Sequence, residues 1–367
     1  MRALFSLAVG PNVLIEEWER LYAHSEARFF LSPAWIENWL ACIPSGVEIG
    51  CVRVYDDLRG VFALGLVGVA TRRNFATPRE ARLHETGVES FDKVYLEYND
   101  ILVARDAPRG TRETAVAAIV EALPHVDDFV FRNAAPELVL AVDEIAERRK
   151  FSVRSLLLQP THNINLRRPG LHTVMEGFSS SLRAKIRRSI RRYEERGAVS
   201  VLRAQTEPER AIAWTELMRL HAETWSRRGL NGAFHDAAFA DFHGRLIERS
   251  PDSVDLLRLT VGEETIGVLY NFIAGERVYN YQSGFKYEAD NQLAPGYVCH
   301  ALAAEKYRED GFWAYDLMGG DSEYKRRLGE PGELLETIVM TRPSVRTRAR
   351  TFVKAVKEVR DARMRRT

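Results

Sequence analysis

The stretch Tyr315-Asp316-Leu317-Met318-Gly319-Gly320-Asp321-Ser322-Glu323-Tyr324-Lys325 gathers carboxylates, tyrosines and a lysine around a diglycine bend. Residues 312–318 read as a strand, whose alternation puts Asp316 with Met318 on one face and Tyr315 with Leu317 on the other. An acid inside such a strand can act as a general base or orient an incoming nucleophile, and it can equally bond backbone amides at the strand end. Asp321 follows the flexible Gly319-Gly320 pair, which permits close approach of a ligand. Asp is also an ordinary N-cap, here for a short helix over 323–328, and the cap is the preferred reading. In a second strand, over 278–284, Tyr279, Tyr281 and Ser283 are expected on one face and Asn280 and Gln282 on the other. One of these faces is core and one lines a groove. An aromatic strip of this kind can stack a sugar ring or simply pack, and packing is the default. His221 and Trp225 stand four apart on a helix and read as a structural pair. His162, His172, His235, His243 and His300 have no metal-ligand spacing, so no metal is expected.

Positive charge concentrates on two helices. Residues 181–196 carry Arg183, Lys185, Arg187, Arg188, Arg191, Arg192 and Arg196 against Glu194 and Glu195, with Leu182, Ile186, Ile190 and Tyr193 as the apolar stripe. Arg183, Arg187 and Arg191 form an i, i+4, i+8 row suited to phosphates of a nucleotide, a lipid-linked sugar or coenzyme A. A charge run is usually a solvated face, but like charges at this spacing repel, so the density invites an anionic partner. A second basic helix, expected over 345–367, includes Arg346, Lys354, Lys357, Arg360 and Arg363. It can pack on the protein, touch the inner membrane surface or bind an anionic nucleotide regulator.

The elements that must position these residues repeat a pattern. Helices read over 14–22, 33–43, 111–123 and 136–150, and strands over 49–55, 61–70, 100–104, 127–131 and 153–158. Beyond Gln159-Pro160 come strands over 163–166, 199–203, 254–261, 265–273, 278–284, 312–318 and 335–341. Helices over 181–196, 209–227, 236–249, 295–310 and 323–328 are interspersed. The seam implies domains over 1–160 and 161–344, followed by the basic helix. The 367 residues exceed one typical core, and 46% hydrophobic content fits a globular α/β (α+β) chain with mixed sheets flanked by helices. With 52 Lys+Arg against 51 Asp+Glu, no general nucleic-acid coat exists and no DNA partner is expected. Cys42, Cys51 and Cys299 form no C-x-x-C pair and read as thiols of a reducing compartment. No window is apolar enough to span a membrane, and the apolar stub at residues 3–9 is too short for a signal peptide, so a cytoplasmic protein is expected. There is no GxGxxG and no GxxxxGK[ST].

A meander, a helix and one more strand, occurring twice, resembles the GCN5-related N-acyltransferase (GNAT) fold in tandem. More specifically, the chain resembles the FemAB-like double-GNAT transferases, and among them the acetyltransferases associated with cellulose and exopolysaccharide biosynthesis. Residues 181–190 through Gly197-Ala198 are similar to the K-x-R-x-x-I helix that opens the second domain, and Tyr315 to Gly329 is similar to Y-D-F-x-G followed by aromatic-Lys. The resemblance implies that Lys325 stabilises the oxyanion of an acyl transfer, the bland alternative being a surface lysine. Asp316 would then act on the incoming amine. Tyr324, Asp321, Tyr281, Gln282, Lys185 and Arg188 are the expected substrate contacts. Acetyl-CoA is the implied donor. Where acetyl-CoA-using domains carry Q/R-x-x-G-x-G/A, this chain reads Asn291-Gln292-Leu293-Ala294-Pro295-Gly296-Tyr297. Gln292 and Gly296, the expected cofactor contacts, are one residue too far apart, a departure shared with the FemAB-like group. The implied acceptor is an amino-sugar, a sugar nucleotide or a lipid-linked saccharide. Transfer from aminoacyl-tRNA and a non-catalytic binding module are the competing readings.

Overall fold

A computed structural model describes residues 1–7, 11–70, 78–94, 96–344 and 346–347. The basic helix expected over 345–367 therefore lies almost wholly outside the described residues. Two compact units form, one from residues 1–33, 43–158 and 335–367, the other from residues 34–42 and 159–334. Two segments thus depart from the division at residue 160 drawn from the sequence.

In chain order the first stretch holds β1 (Arg2–Leu7), α1 (Pro11–Ala23), α2 (Pro33–Cys42), β2 (Glu48–Asp56), β3 (Gly60–Ala70), β4 (Glu80–Leu83), β5 (Leu102–Val103), α3 (Thr111–Ala122), β6 (Asp128–Ala134), α4 (Pro136–Arg149) and β7 (Ser152–Asn165). In the first unit β1, β2, β3 and β4 form an antiparallel meander, and β4 then runs parallel to β6. Helices α3 and α4 bury Val116, Ile119, Leu138 and Val142 against Val52, Val67 and Phe129 of the sheet. Burying each such side chain contributes about 1.5–3 kcal/mol. β1 covers most of the apolar stub that is too short for a signal peptide, a stretch given no element from the sequence, and it is a strand because it pairs with β2 from Arg2↔Tyr55 to Leu7↔Gly50.

The second stretch adds α5 (Ser180–Glu194), β8 (Val199–Arg203), α6 (Glu207–Ser226), α7 (Ala237–Arg249), β9 (Val254–Val261), β10 (Glu264–Ala274), β11 (Arg277–Phe285), α8 (Pro295–Glu309), β12 (Ala314–Gly319), α9 (Glu323–Leu328) and β13 (Glu330–Thr341). Strands β8 to β11 are again an antiparallel meander, β11 runs parallel to β12, and β12 is antiparallel to Thr161–Asn165 of β7. Local signals start the helices: Thr206 and Glu209 make a capping box for α6, and Asp236 caps α7. The amphipathic α5 buries Leu182, Ile186 and Tyr193 against α8 and the sheet. α2 joins this unit because Trp35 packs 5.0 Å from Phe242, and Asn38 Nδ2 donates to the Phe242 carbonyl at 2.9 Å. The far end of β13 joins the first unit, with Glu336↔Ala134 through Thr341↔Asp128 paired to β6. β7 was expected as two strands parted by Pro160, yet it is continuous, and the Pro160 carbonyl accepts from Gly320 N–H at 3.0 Å.

Candidate active site

β11 and β12 keep register for only three residues, Arg277↔Ala314, Val278↔Tyr315 and Tyr279↔Asp316. Beyond Tyr279 the register with β12 ends, while β11 continues against β10 to Phe285. Their carboxyl ends therefore part, and α8 begins and α9 follows at this same end. Ligands of α/β sheets bind at such places, where strand ends and helix amino termini converge.

β11 also carries a bulge. Asn271 pairs with Asn280 and Tyr270 with Gln282, so Tyr281 is the extra residue. The bulge corrects the alternation drawn from the sequence. Asn280 and Ser283 share a face, since Ser283 Oγ donates to Asn280 Oδ1 at 3.0 Å and Asn280 Nδ2 donates to Asn271 Oδ1 at 2.9 Å. Tyr281 turns the other way, among Trp35, Phe239, His243 and Phe272. Gln282 accompanies it on the side of His221 of α6, and a β-carbon at Gly284 would stand 2.9 Å from the Leu217 carbonyl. His221 and Trp225 are the structural pair expected, with Trp225 Nε1 donating to His221 Nε2 at 2.9 Å.

Lys325 is the centre of the parted end. It is half-buried, and its ammonium donates to the Met318 carbonyl at 3.4 Å and to the Gly319 carbonyl. These carbonyls are presented by a bulge in β12: Asp316 pairs with Asn163 and Gly319 with Thr161, which leaves Leu317 and Met318 opposite the single residue His162. Met318 takes φ 63°, a left-handed conformation uncommon for a side-chain-bearing residue. The Asp316 carboxylate supports the bulge. It is fully buried, accepts from the Met318 N–H at 2.7 Å and pairs with Arg277 at 3.1 Å. Asp316 thus has the strand-end bonding named among its alternatives, and its carboxylate faces Arg277. Gly320 lies beside Lys325 at φ 111°, a left-handed conformation that favours glycine, and a β-carbon there would be in ordinary contact with Nζ at 3.6 Å.

Two buried imidazoles sense the charge of this ammonium. His300 is buried, its Nδ1 is 3.0 Å from the Tyr315 hydroxyl, and its ring stacks on Tyr324 at 5.8 Å. Burial and then the Lys325 charge push it down to about 3, so it is neutral at ordinary pH. His162 is buried, and it too is lowered, by burial first and by Lys325 second. Spacing along the chain marked neither histidine, because they reach Lys325 through α8 and β7. Asp321 is not the cap of α9: Ser322 occupies that position, and Asp321 is exposed and paired to Arg326 at 2.9 Å.

Cations collect near the start of α8. Lys185 stands 4.9 Å and Arg327 5.5 Å from the centroid of the Tyr297 ring. α5 turns Lys185, Ser189 and Arg192 toward residues 286–297, as does Arg196 just beyond its end, with Ser189 Oγ accepting from Ala294 N–H at 2.9 Å. The row Arg183, Arg187, Arg191 is not that face. Arg183 is bound to the Glu176 and Phe178 carbonyls at 3.2 and 2.5 Å, while Arg187, Arg188 and Arg191 are exposed. Gly296 sits in the first turn of α8 beside Phe285, and Gln292 is exposed on the preceding loop with its N–H on Asp290.

The first unit repeats the parted strands and fills them. β4 and β6 pair for three residues, Glu80↔Asp128 to Arg82↔Val130. Past them Asn99 bridges to Ala134, its N–H donating to the Asn133 carbonyl at 3.0 Å, and Asn133 Nδ2 donates to the Leu96 carbonyl at 3.1 Å. Buried Glu85 pairs with Arg132 at 2.9 Å and Arg82 at 3.2 Å in the same segment.

Residues 180–326 match a family model described as an acetyltransferase (GNAT) domain. Solved structures extend the likeness to both units. FemX aligns at TM-score 0.60 and 12% identity over 93% of this chain and 97% of its own. The fold is tandem GNAT-like. A tandem GNAT protein from the clavulanic acid biosynthesis pathway aligns at TM-score 0.51 and 12% identity over 94% of this chain and 100% of its own. The C-terminal domain of a putative lysylphosphatidylglycerol synthetase from Agrobacterium fabrum aligns at TM-score 0.54 and 11% identity, over 94% and 96%. No curated protein matches in sequence.

Proposed function

We propose that the chain is an N-acyltransferase that moves an acyl group, acetyl from acetyl-CoA, onto an amino group of a saccharide precursor in exopolysaccharide or cell-envelope synthesis. The observation that carries the chemistry is the Lys325 ammonium held at the parted ends of β11 and β12. As the amine nitrogen bonds to the acyl carbon, the carbonyl oxygen becomes anionic, and a fixed cation there lowers the barrier. The C–S bond then breaks with its electron pair on sulfur, and the proton shed by the nitrogen goes to the thiolate. The edge of β11 beyond Tyr279 offers backbone groups to the donor's amide-bearing arm. Lys185, Arg327 and the first turn of α8, including Gly296, suit its phosphates. Tyr324, Asp321, Gln282 and Arg188 remain the proposed acceptor contacts, and the saccharide acceptor rests on the sequence resemblance.

A second reading, transfer from aminoacyl-tRNA, is favoured by one observation: Arg187, Arg188 and Arg191 are exposed along α5. Thiol release from acetyl-CoA, measured with amino-sugars and sugar nucleotides as acceptors, tests the first reading. Acceptor-dependent release supports it. Transfer only from charged tRNA moves the assignment to the second, and binding without any transfer leaves a non-catalytic module.

The filled cleft of the first unit makes a further prediction. Calorimetric titration with acetyl-CoA is expected to give one equivalent per chain, because Asn99 already occupies the β6 edge. Two equivalents would show that the segment around residues 84–99 yields to the donor.

A further inference from the structure

His162 is the single residue opposite the β12 bulge, and the carbonyls of that bulge hold Lys325. The side chain is 2% exposed, and its Nδ1 has no hydrogen-bond partner among the described residues. A buried polar atom left unpaired costs about 1–3 kcal/mol, so such an atom in a native core needs a reason. A small apolar side chain would fill the position without that cost.

We propose that His162 is a positioning residue for Lys325, a neutral imidazole that leaves the ammonium seated on the Met318 and Gly319 carbonyls and unseats it on taking a proton. The inference rests on Lys325 being the group that meets the acyl oxygen. Imidazolium and ammonium placed across one bulge repel, and the lysine, longer and only half-buried, is the side chain that yields. Charged groups reach His162 from two directions. Lys325 and Arg326 of α9 oppose its protonation, whereas Asp321, in the loop before α9, and the Gly320 backbone favour it. His300, the other imidazole that senses Lys325, is bonded to Tyr315 and is pushed down to about 3.

The two charge classes make opposite predictions for one signal. In the full chain, the His162 imidazole resonance is followed by NMR against pH and assigned by its loss in His162→Gln, or by backbone-linked assignment should that variant not fold. Its midpoint lies below the ordinary 6.5. Lys325→Met is expected to raise it by roughly half a unit or more, and Asp321→Asn to lower it. A midpoint indifferent to Lys325→Met overturns the proposal, whatever the enzyme turns over. In the acetyl-transfer assay, the acid limb of kcat is expected to follow the same midpoint. His162→Gln, which cannot take up the proton, should lose that limb while leaving KM for the donor unchanged. An acid limb that survives in His162→Gln also overturns the proposal. Failure of the acyltransferase reading appears differently, as no turnover in any variant, and the titration still decides whether the two groups are coupled.

Discussion

Lys325→Met is expected to lower kcat by about 10²–10³ with little change in donor KM. Methionine keeps the aliphatic stem that runs past Gly320 and removes the charge held by the Met318 and Gly319 carbonyls. Those carbonyls are fixed by the β12 bulge, so the ammonium is oriented before the substrate arrives, and this orientation makes one charge worth several orders of magnitude. Lys325→Arg retains the charge but spreads it over a planar fork too broad for the same seat, and partial rescue is expected. Thiol release at saturating donor and acceptor measures both variants, with circular dichroism confirming the fold. Turnover at the wild-type rate in Lys325→Met would return Lys325 to the status of a surface residue.

Acid is expected to destabilise the chain by roughly 3–6 kcal/mol between pH 7 and pH 5, a large part of a typical domain's 5–15. Four buried histidines cause this. Burial pushes His84 and His221 down to about 4, His300 to about 3 and His243 well below the ordinary value. In the unfolded chain each takes a proton near pH 6.5, and in the folded chain each refuses it until the pH is far lower. The unfolded state therefore binds more protons throughout that window, and stability falls as the pH drops. Each histidine contributes about 1–2 kcal/mol of the loss. Glu85 works the other way. Burial raises it to about 7, so it is protonated more readily folded than unfolded, and it offsets about one histidine's share. Urea unfolding at pH 7, 6 and 5 measures the slope. A flat profile would mean that the four imidazoles become protonated without unfolding.

The repeated rhythm of strands and helices was legible along the chain because each signal is local. β8, β9 and α9 have the bounds expected from alternation, turn residues and the following glycine. α6 and α7 begin within two residues of the expected starts, where Thr206 and Asp236 cap them. Lys325 came into view through the resemblance of its motif.

Other features depend on partners distant in sequence. Tyr281 is a bulge only because β10 pairs past it, and Met318 is one only because β7 sets Asn163 against Asp316 and Thr161 against Gly319. No side-chain period within a single strand encodes the register of its neighbour, so strict alternation misassigned the faces of β11. α2 and the end of β13 were placed by packing surface and by an open strand edge, which chain order does not reveal. The same holds for the two neutral imidazoles beside Lys325. Sequence by itself determined most of the elements and their tandem order, since propensity, capping and hydrophobic period act over a few residues, and a motif resemblance singled out the lysine. Only the tertiary structure decided which carbonyls seat that lysine, which histidines face it and which of the two clefts is filled, because strand register and burial arise from contacts between segments far apart in the chain.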